Sequence, residues 1–221
     1  MRVLAAIVPP RDVLDELDAF VSSVSPPPTV GVPPPPAGQH AAPRKSMFRR
    51  RSGPDGRATA VGPPNDQLDQ TPVGLMHIPI ATFGHLTLGD SVQVANVLRT
   101  AVATWARPTL HFAGGTALEG RGDKAVWARL DGDLGRLQDL AQGVPTLVQR
   151  LSLFVDRRQF RPWLAVGTIT DQTTAAFLEE LVAALERFEG MTWTQDSVSL
   201  MKGLPDSPVF EEMERMSLAA D

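Results

Sequence analysis

The sequence has no cysteine, which excludes disulfides, thiolate-ligated zinc and a thiol nucleophile. It also lacks any run of about 18 apolar residues. The apolar start Val3 to Val8 is far shorter than a span and leads straight into a helical pattern, so neither a membrane segment nor a secretory signal is expected and the chain is expected to be cytoplasmic. Phosphate-binding P-loop, dinucleotide-binding glycine pattern, zinc-ligand spacing and nucleophile elbow are all missing. Cationic excess is missing too. The net charge is −4, and the stretch from Arg44 to Arg57 carries Arg44, Lys45, Arg49, Arg50, Arg51 and Arg57 against Asp55 alone. Setting that net +5 aside leaves the remainder at −9, a poor nonspecific nucleic-acid surface, so any such affinity needs a focused cleft or the basic stretch.

What is present is enough for one folded core. The chain has 221 residues at 43% hydrophobic content, and about 170 of them lie outside a segment that cannot pack. That segment begins at Ser25 with Pro26-Pro27-Pro28, continues through Pro33 to Pro36 and the basic run, and reaches Pro63-Pro64. Proline at this density removes amide donors and fixes backbone angles, so residues 25–70 are expected to be a disordered, basic insertion. Its Pro33-Pro34-Pro35-Pro36 run can adopt polyproline II and dock on an aromatic groove of a protein partner, or stay solvated.

Periodicity on either side of this insertion alternates between two and three-to-four. Residues 2–8 read as a buried strand, and Val13, Leu17, Phe20 and Val24 as a helix stripe after Pro9-Pro10. Strands are expected over Leu75–Phe83, Thr109–Phe112, Ala125–Leu130, Phe160–Gly167 and Met191–Met201. Helices are expected from about Asp90, from an Asp133 cap, and along Phe177, Leu181, Leu185 and Phe188 to a stop at Gly190. Gly114-Gly115 is expected to turn the chain, and 204–221 to be a tail. One helix per pair of strands makes the fold class α+β.

Two of these strands carry the functional signal. His77-Ile78-Pro79-Ile80-Ala81-Thr82-Phe83-Gly84 and Phe160-Arg161-Pro162-Trp163-Leu164-Ala165-Val166, with the opening strand Arg2–Pro10 and Lys124-Ala125-Val126-Trp127, resemble the 2H phosphoesterase superfamily. The resemblance is to its 2′-5′ RNA ligase and RNA 2′,3′-cyclic phosphodiesterase branch, and covers the chain outside roughly 25–72. It implies two pseudo-symmetric lobes whose antiparallel sheets face a central cleft with helices outside. It places 1–24 and 71–203 in a single domain, and implies no metal and no cofactor. Each lobe of that family contributes one His-x-Thr/Ser strand: one imidazole takes a proton, the other gives one, and the hydroxyls hold the phosphate.

In this chain His77 keeps the first imidazole, but Pro79 has neither hydroxyl nor amide hydrogen. Trp163 stands at the second histidine position, where its indole donates a hydrogen bond but accepts no proton, and Ala165 has nothing polar. The indole either fills the cleft or offers a stacking face. Arg161 is the candidate phosphate ligand, or a surface ion-pair partner. A literal His85-Leu86-Thr87 is an alternative first motif, with no second one to match it. The expectation is a degenerate member that binds a nucleotide or RNA-end phosphate, or a protein partner through 25–70. The alternatives are an active phosphodiesterase working through His77, or an interaction protein with a plugged cleft.

Overall fold

The computed structural model describes residues 1–24, 67–120, 123–156, 158–205, 207 and 209–220. The expectations for the proline-rich basic segment lie outside the described residues as far as residue 66. Its last residues, Leu68–Gln70, are not loop but a strand. In chain order the elements are β1 (Arg2–Ile7), α1 (Arg11–Ser23), β2 (Leu68–Gln70), β3 (Ile78–His85), α2 (Leu88–Val102), β4 (Thr109–Gly120) and β5 (Asp123–Gly132). Then come α3 (Leu134–Gln149), β6 (Trp163–Ile169), α4 (Ala175–Glu186), β7 (Trp193–Thr194), β8 (Ser197–Gly203) and β9 (Phe210–Ser217).

The fold is α+β, with two antiparallel sheets around a cleft. One sheet runs β3-β1-β8-β9 and the other β2-β6-β5-β4-β7. A single buried cluster threads both lobes, from Val3, Ala5 and Ile7 of β1 to Leu164 and Val166 of β6. The helices supply its outer side. Val13, Leu14, Leu17 and Val21 of α1 are buried, and Phe20 of that helix stacks on Phe188 after α4, with ring centroids 4.4 Å apart. Thr87 and Asp90 close a reciprocal capping box at the start of α2, which satisfies two otherwise orphaned amides. Thr174 caps α4 through Phe177 N–H.

Local chemistry displaces several expected boundaries. The first motif strand starts at Ile78 rather than Leu75, because Leu75 and Met76 donate back to Pro72 and Val73 and wind Val73–Leu75 into a 3-10 turn. Gly114-Gly115 does not turn the chain. It lies inside the twelve-residue strand β4, at a bulge between Phe112 and Gly115 where Gly114 takes φ +83°. A side chain at Gly115 would collide with Leu185, so these glycines permit a kink and a close helix approach rather than a reversal. Asp133 occupies the N-cap position of α3, but its carboxylate accepts from Thr109 N–H instead of capping the helix. The last helix ends at Glu186, and Gly190 donates to Phe112 O on β4.

The expected tail is also a strand. β9 pairs with β8 along its whole length and forms the edge of the first sheet. Its apolar alternation is broken by Glu211, Glu212, Glu214 and Arg215, which find partners across the surface: Glu214 pairs with Arg99 at 2.6 Å and Glu211 with Lys202 at 3.4 Å. Charged edge strands of this kind resist unwanted pairing. A chain ended after Gly203 loses Met216 and Leu218, exposed by only 2% and 3%. Burying two such side chains contributes about 3 kcal/mol or more. Thermal unfolding of the truncated chain is therefore expected to lose its cooperative transition or fall sharply in Tm, whereas an unchanged Tm would restore the tail.

Candidate functional site

The cleft is built where the free edge of β3 faces β5 and β6. It encloses about 440 Å³, within the range of small-molecule sites. Pro79, Ile80, Ala81 and Thr82 of β3 form one wall, and Trp127 and Trp163 the other. The connection between α3 and β6 closes it with Asp156, Arg158, Gln159, Phe160 and Arg161. That connection is pinned to the opposite sheet by Asp156 N–H donating to Thr82 O at 2.8 Å. The two lobes are thus tied together at the cleft itself.

Register decides which β3 side chains share a face. Ala6 of β1 lies opposite Pro79 and Leu4 opposite Thr82, with a bulge between Ala5 and Ala6. Leu4 and Ala6 are two apart on β1 and so share a face. Pro79 and Thr82 therefore share one as well, although they are three apart in sequence. Simple alternation carries Pro79 to Ala81 instead, so Thr82 was missed as a site residue; only the bulge reveals it. Thr82 Oγ1 makes no hydrogen bond among the described residues. Pro79 itself is exposed, and it is tolerated because β3 is an edge strand.

His77 precedes β3. Its Nδ1–H donates to Leu75 O at 2.8 Å, leaving Nε2 as the acceptor, and its ring meets Phe210 edge-on at 5.7 Å. Burial pushes its pKa below the ordinary 6.5, opposed by the bond to Leu75. It is not among the described residues that line the cleft. The alternative pair is spent elsewhere: His85 ends β3 exposed, opposite Arg2, and Thr87 is the α2 cap.

On the other wall, Trp163 is half-buried in β6 and Arg161 lays its guanidinium over the ring, 4.9 Å from the centroid. Such a stack is a cation–π contact. Trp127 is tilted against Trp163 at 6.5 Å and lies directly opposite Ala165 in the ladder. The Nε1–H of Trp127 is buried and has no hydrogen-bond partner among the described residues, which ordinarily costs about 1–3 kcal/mol. Among the cations, Arg158 is paired with Asp156 at 3.0 Å, whereas Arg161 has no carboxylate partner among the described residues. The wall therefore presents a net positive charge beside an aromatic face. No cluster of three or more His, Asp or Glu side chains that could hold a metal occurs among the described residues, and no described helix is long and apolar enough to cross a membrane.

Solved structures share this architecture. A structure described as a phosphoesterase aligns with TM-score 0.64 at 11% identity, covering 99% of this chain and 99% of that one. E. coli LigT complexed with 3′-AMP aligns with TM-score 0.62 at 13% identity, covering 99% and 98%. TT0787 of Thermus thermophilus aligns with TM-score 0.58 at 16% identity, covering 99% and 98%. At these identities the likeness is one of fold, and it is the fold that the sequence resemblance implied. No family model matches the sequence, and no curated protein does.

The depressed pKa of His77 makes a prediction for stability. Because the unfolded chain binds the proton more readily, His77 contributes stability that is complete above pH 6.5 and is lost as pH falls from there through its lower folded value. Denaturant titrations at pH 7.5 and 5.5 are expected to show a smaller loss on acidification in His77→Gln than in wild type. Equal losses would mean that His77 is charged as easily in the fold as out of it.

Proposed function

We propose that this chain, with the fold of E. coli LigT and the phosphoesterase structures, binds a nucleotide or RNA-end phosphate in its cleft and has lost hydrolysis of 2′,3′-cyclic phosphates. The observation that carries the reading is the Arg161–Trp163 stack, which puts a cation and a flat apolar ring on the cleft wall at the position where the resemblance calls for a second imidazole.

The proton inventory of the cleft speaks against catalysis. Opening a cyclic phosphodiester needs one group to accept a proton from water and another to donate one to the leaving oxygen. Trp163 does neither, since indole nitrogen only donates a hydrogen bond. His77 has a free Nε2, but its ring packs on Phe210 rather than on the cleft wall. Absence of one acid–base partner alone lowers rates by about 10²- to 10⁴-fold.

Chemical complementarity favours binding. Arg161 has no competing carboxylate among the described residues, and its planar fork matches phosphate oxygens. Trp163 is a stacking face for any base, of the sequence-tolerant kind used by single-strand binders. The solved LigT structures with 3′-AMP, NADP+, ATP and phosphate make nucleotides the first ligands to try.

Purified full-length protein is expected to leave a panel of 2′,3′-cyclic nucleotides intact while binding 3′-AMP in calorimetry with a Kd below about 1 mM. Arg161→Gln should weaken that binding by about 10- to 100-fold. Turnover of a cyclic nucleotide that His77→Ala abolishes would overturn the loss of catalysis and make the chain a working phosphodiesterase.

A further inference from the structure

Two polar groups in the cleft have no role in either motif position, and each stands next to a position where a polar group is missing. Thr82 shares its face with Pro79 because of the β3 bulge, and its hydroxyl has no partner among the described residues. Trp127 lies across the ladder from Ala165, and its Nε1–H is buried and unpartnered among the described residues. Opposed residues on neighbouring antiparallel strands hold their Cβ atoms about 5 Å apart, so the indole reaches the space that a longer side chain at 165 would fill.

We infer that Thr82 Oγ1–H and Trp127 Nε1–H are the hydrogen-bond donors to a phosphate group in this cleft, one from each lobe, in place of the groups absent at Pro79 and Ala165. The inference rests on the binding function proposed above and extends it by assigning the donors and the part of the ligand they hold.

Three features point to an oxyanion rather than to a base edge. An indole N–H donates only, so its partner must be an acceptor. Arg161, on the same wall and without a carboxylate partner among the described residues, adds the positive charge that favours an anionic acceptor. The apolar ring of Trp163 leaves the base a separate place to stack. The Trp127 N–H is shielded from water, so a phosphate oxygen reaches it only when a neighbouring side chain shifts, and the adjacent Trp163 ring carries the Arg161 guanidinium that the same anion attracts. A buried donor that would merely weaken the fold then has its acceptor in the bound state.

The test is an indole ¹⁵N–¹H titration of the full-length protein with orthophosphate, 3′-AMP and adenosine. The chain has four tryptophans, and Trp127→Phe assigns the one resonance that matters. The Trp127 N–H signal is expected to move with orthophosphate and with 3′-AMP but not with adenosine. In parallel, Thr82→Val, nearly isosteric on an edge strand, should weaken 3′-AMP by roughly 5- to 100-fold. If 3′-AMP binds while the Trp127 signal stays fixed, or if adenosine alone moves it, the donor assignment falls and the nucleotide reading survives. Undiminished binding by Thr82→Val removes the first lobe's donor in the same way. If none of the three ligands binds wild type, the nucleotide reading fails and this inference fails with it.

Discussion

The period-two geometry of strands shared between a core and a cleft governs this molecule. β1, β3, β5 and β6 each give alternate residues to one continuous buried cluster, which commits the intervening residues to the other face. Val126, Ala128, Leu164 and Val166 are buried, and so Trp127, Arg129, Trp163 and Ala165 share the remaining face. A shift of one residue would drive two tryptophans into the core. The register of β3 against β1 is reset twice, between Val3 and Leu4 and between Ala5 and Ala6, and the second of these bulges brings Thr82 onto the face of Pro79. The site is therefore set by packing on the far side of each strand, long before any ligand chemistry is considered.

On the proposed reading, the chemistry of the cleft follows from an indole standing where the resemblance calls for an imidazole. A histidine pair moves protons near neutral pH, whereas indole offers area and a single donor. Once Trp163 covers that wall, Arg161 finds a ring to rest on and no carboxylate to neutralise it among the described residues. His77 is held by Leu75 and Phe210, and burial lowers its pKa. This composition is what supports the proposal that the cleft retains an anion rather than turning it over.

The central strands and the helix stripes were legible because their apolar periods are regular: Val13, Leu14, Leu17 and Val21 on α1, and Leu164 with Val166 on β6. The two-lobed cleft was not readable from period at all and came from the family resemblance carried by the motif strands. What escaped the sequence has specific causes. β9 looked like a tail because Glu211, Glu212, Glu214 and Arg215 break its apolar pattern, and only their partners on α2 and β8 show why a strand tolerates them. The Gly114-Gly115 pair reads as a turn in any sequence, and its use as a bulge depends on Leu185 and Arg129 lying above it. Of the residues singled out by motif position, Pro79, Arg161 and Trp163 line the cleft, whereas His77 and Ala165 are not among its lining residues. Thr82 depended on a register break, and Trp127 on a cross-strand neighbour with no periodic signature.

The cleft is proposed to hold a phosphate ligand without acting on it. A crystal of the full-length chain soaked in 2′,3′-cyclic AMP tests this in one experiment. The predicted result is the intact cyclic ester in the cleft, its phosphate beside Arg161 and its base on Trp163. Density for an opened monophosphate, or a ligand seated at His77 with the cleft wall undisturbed, would contradict it.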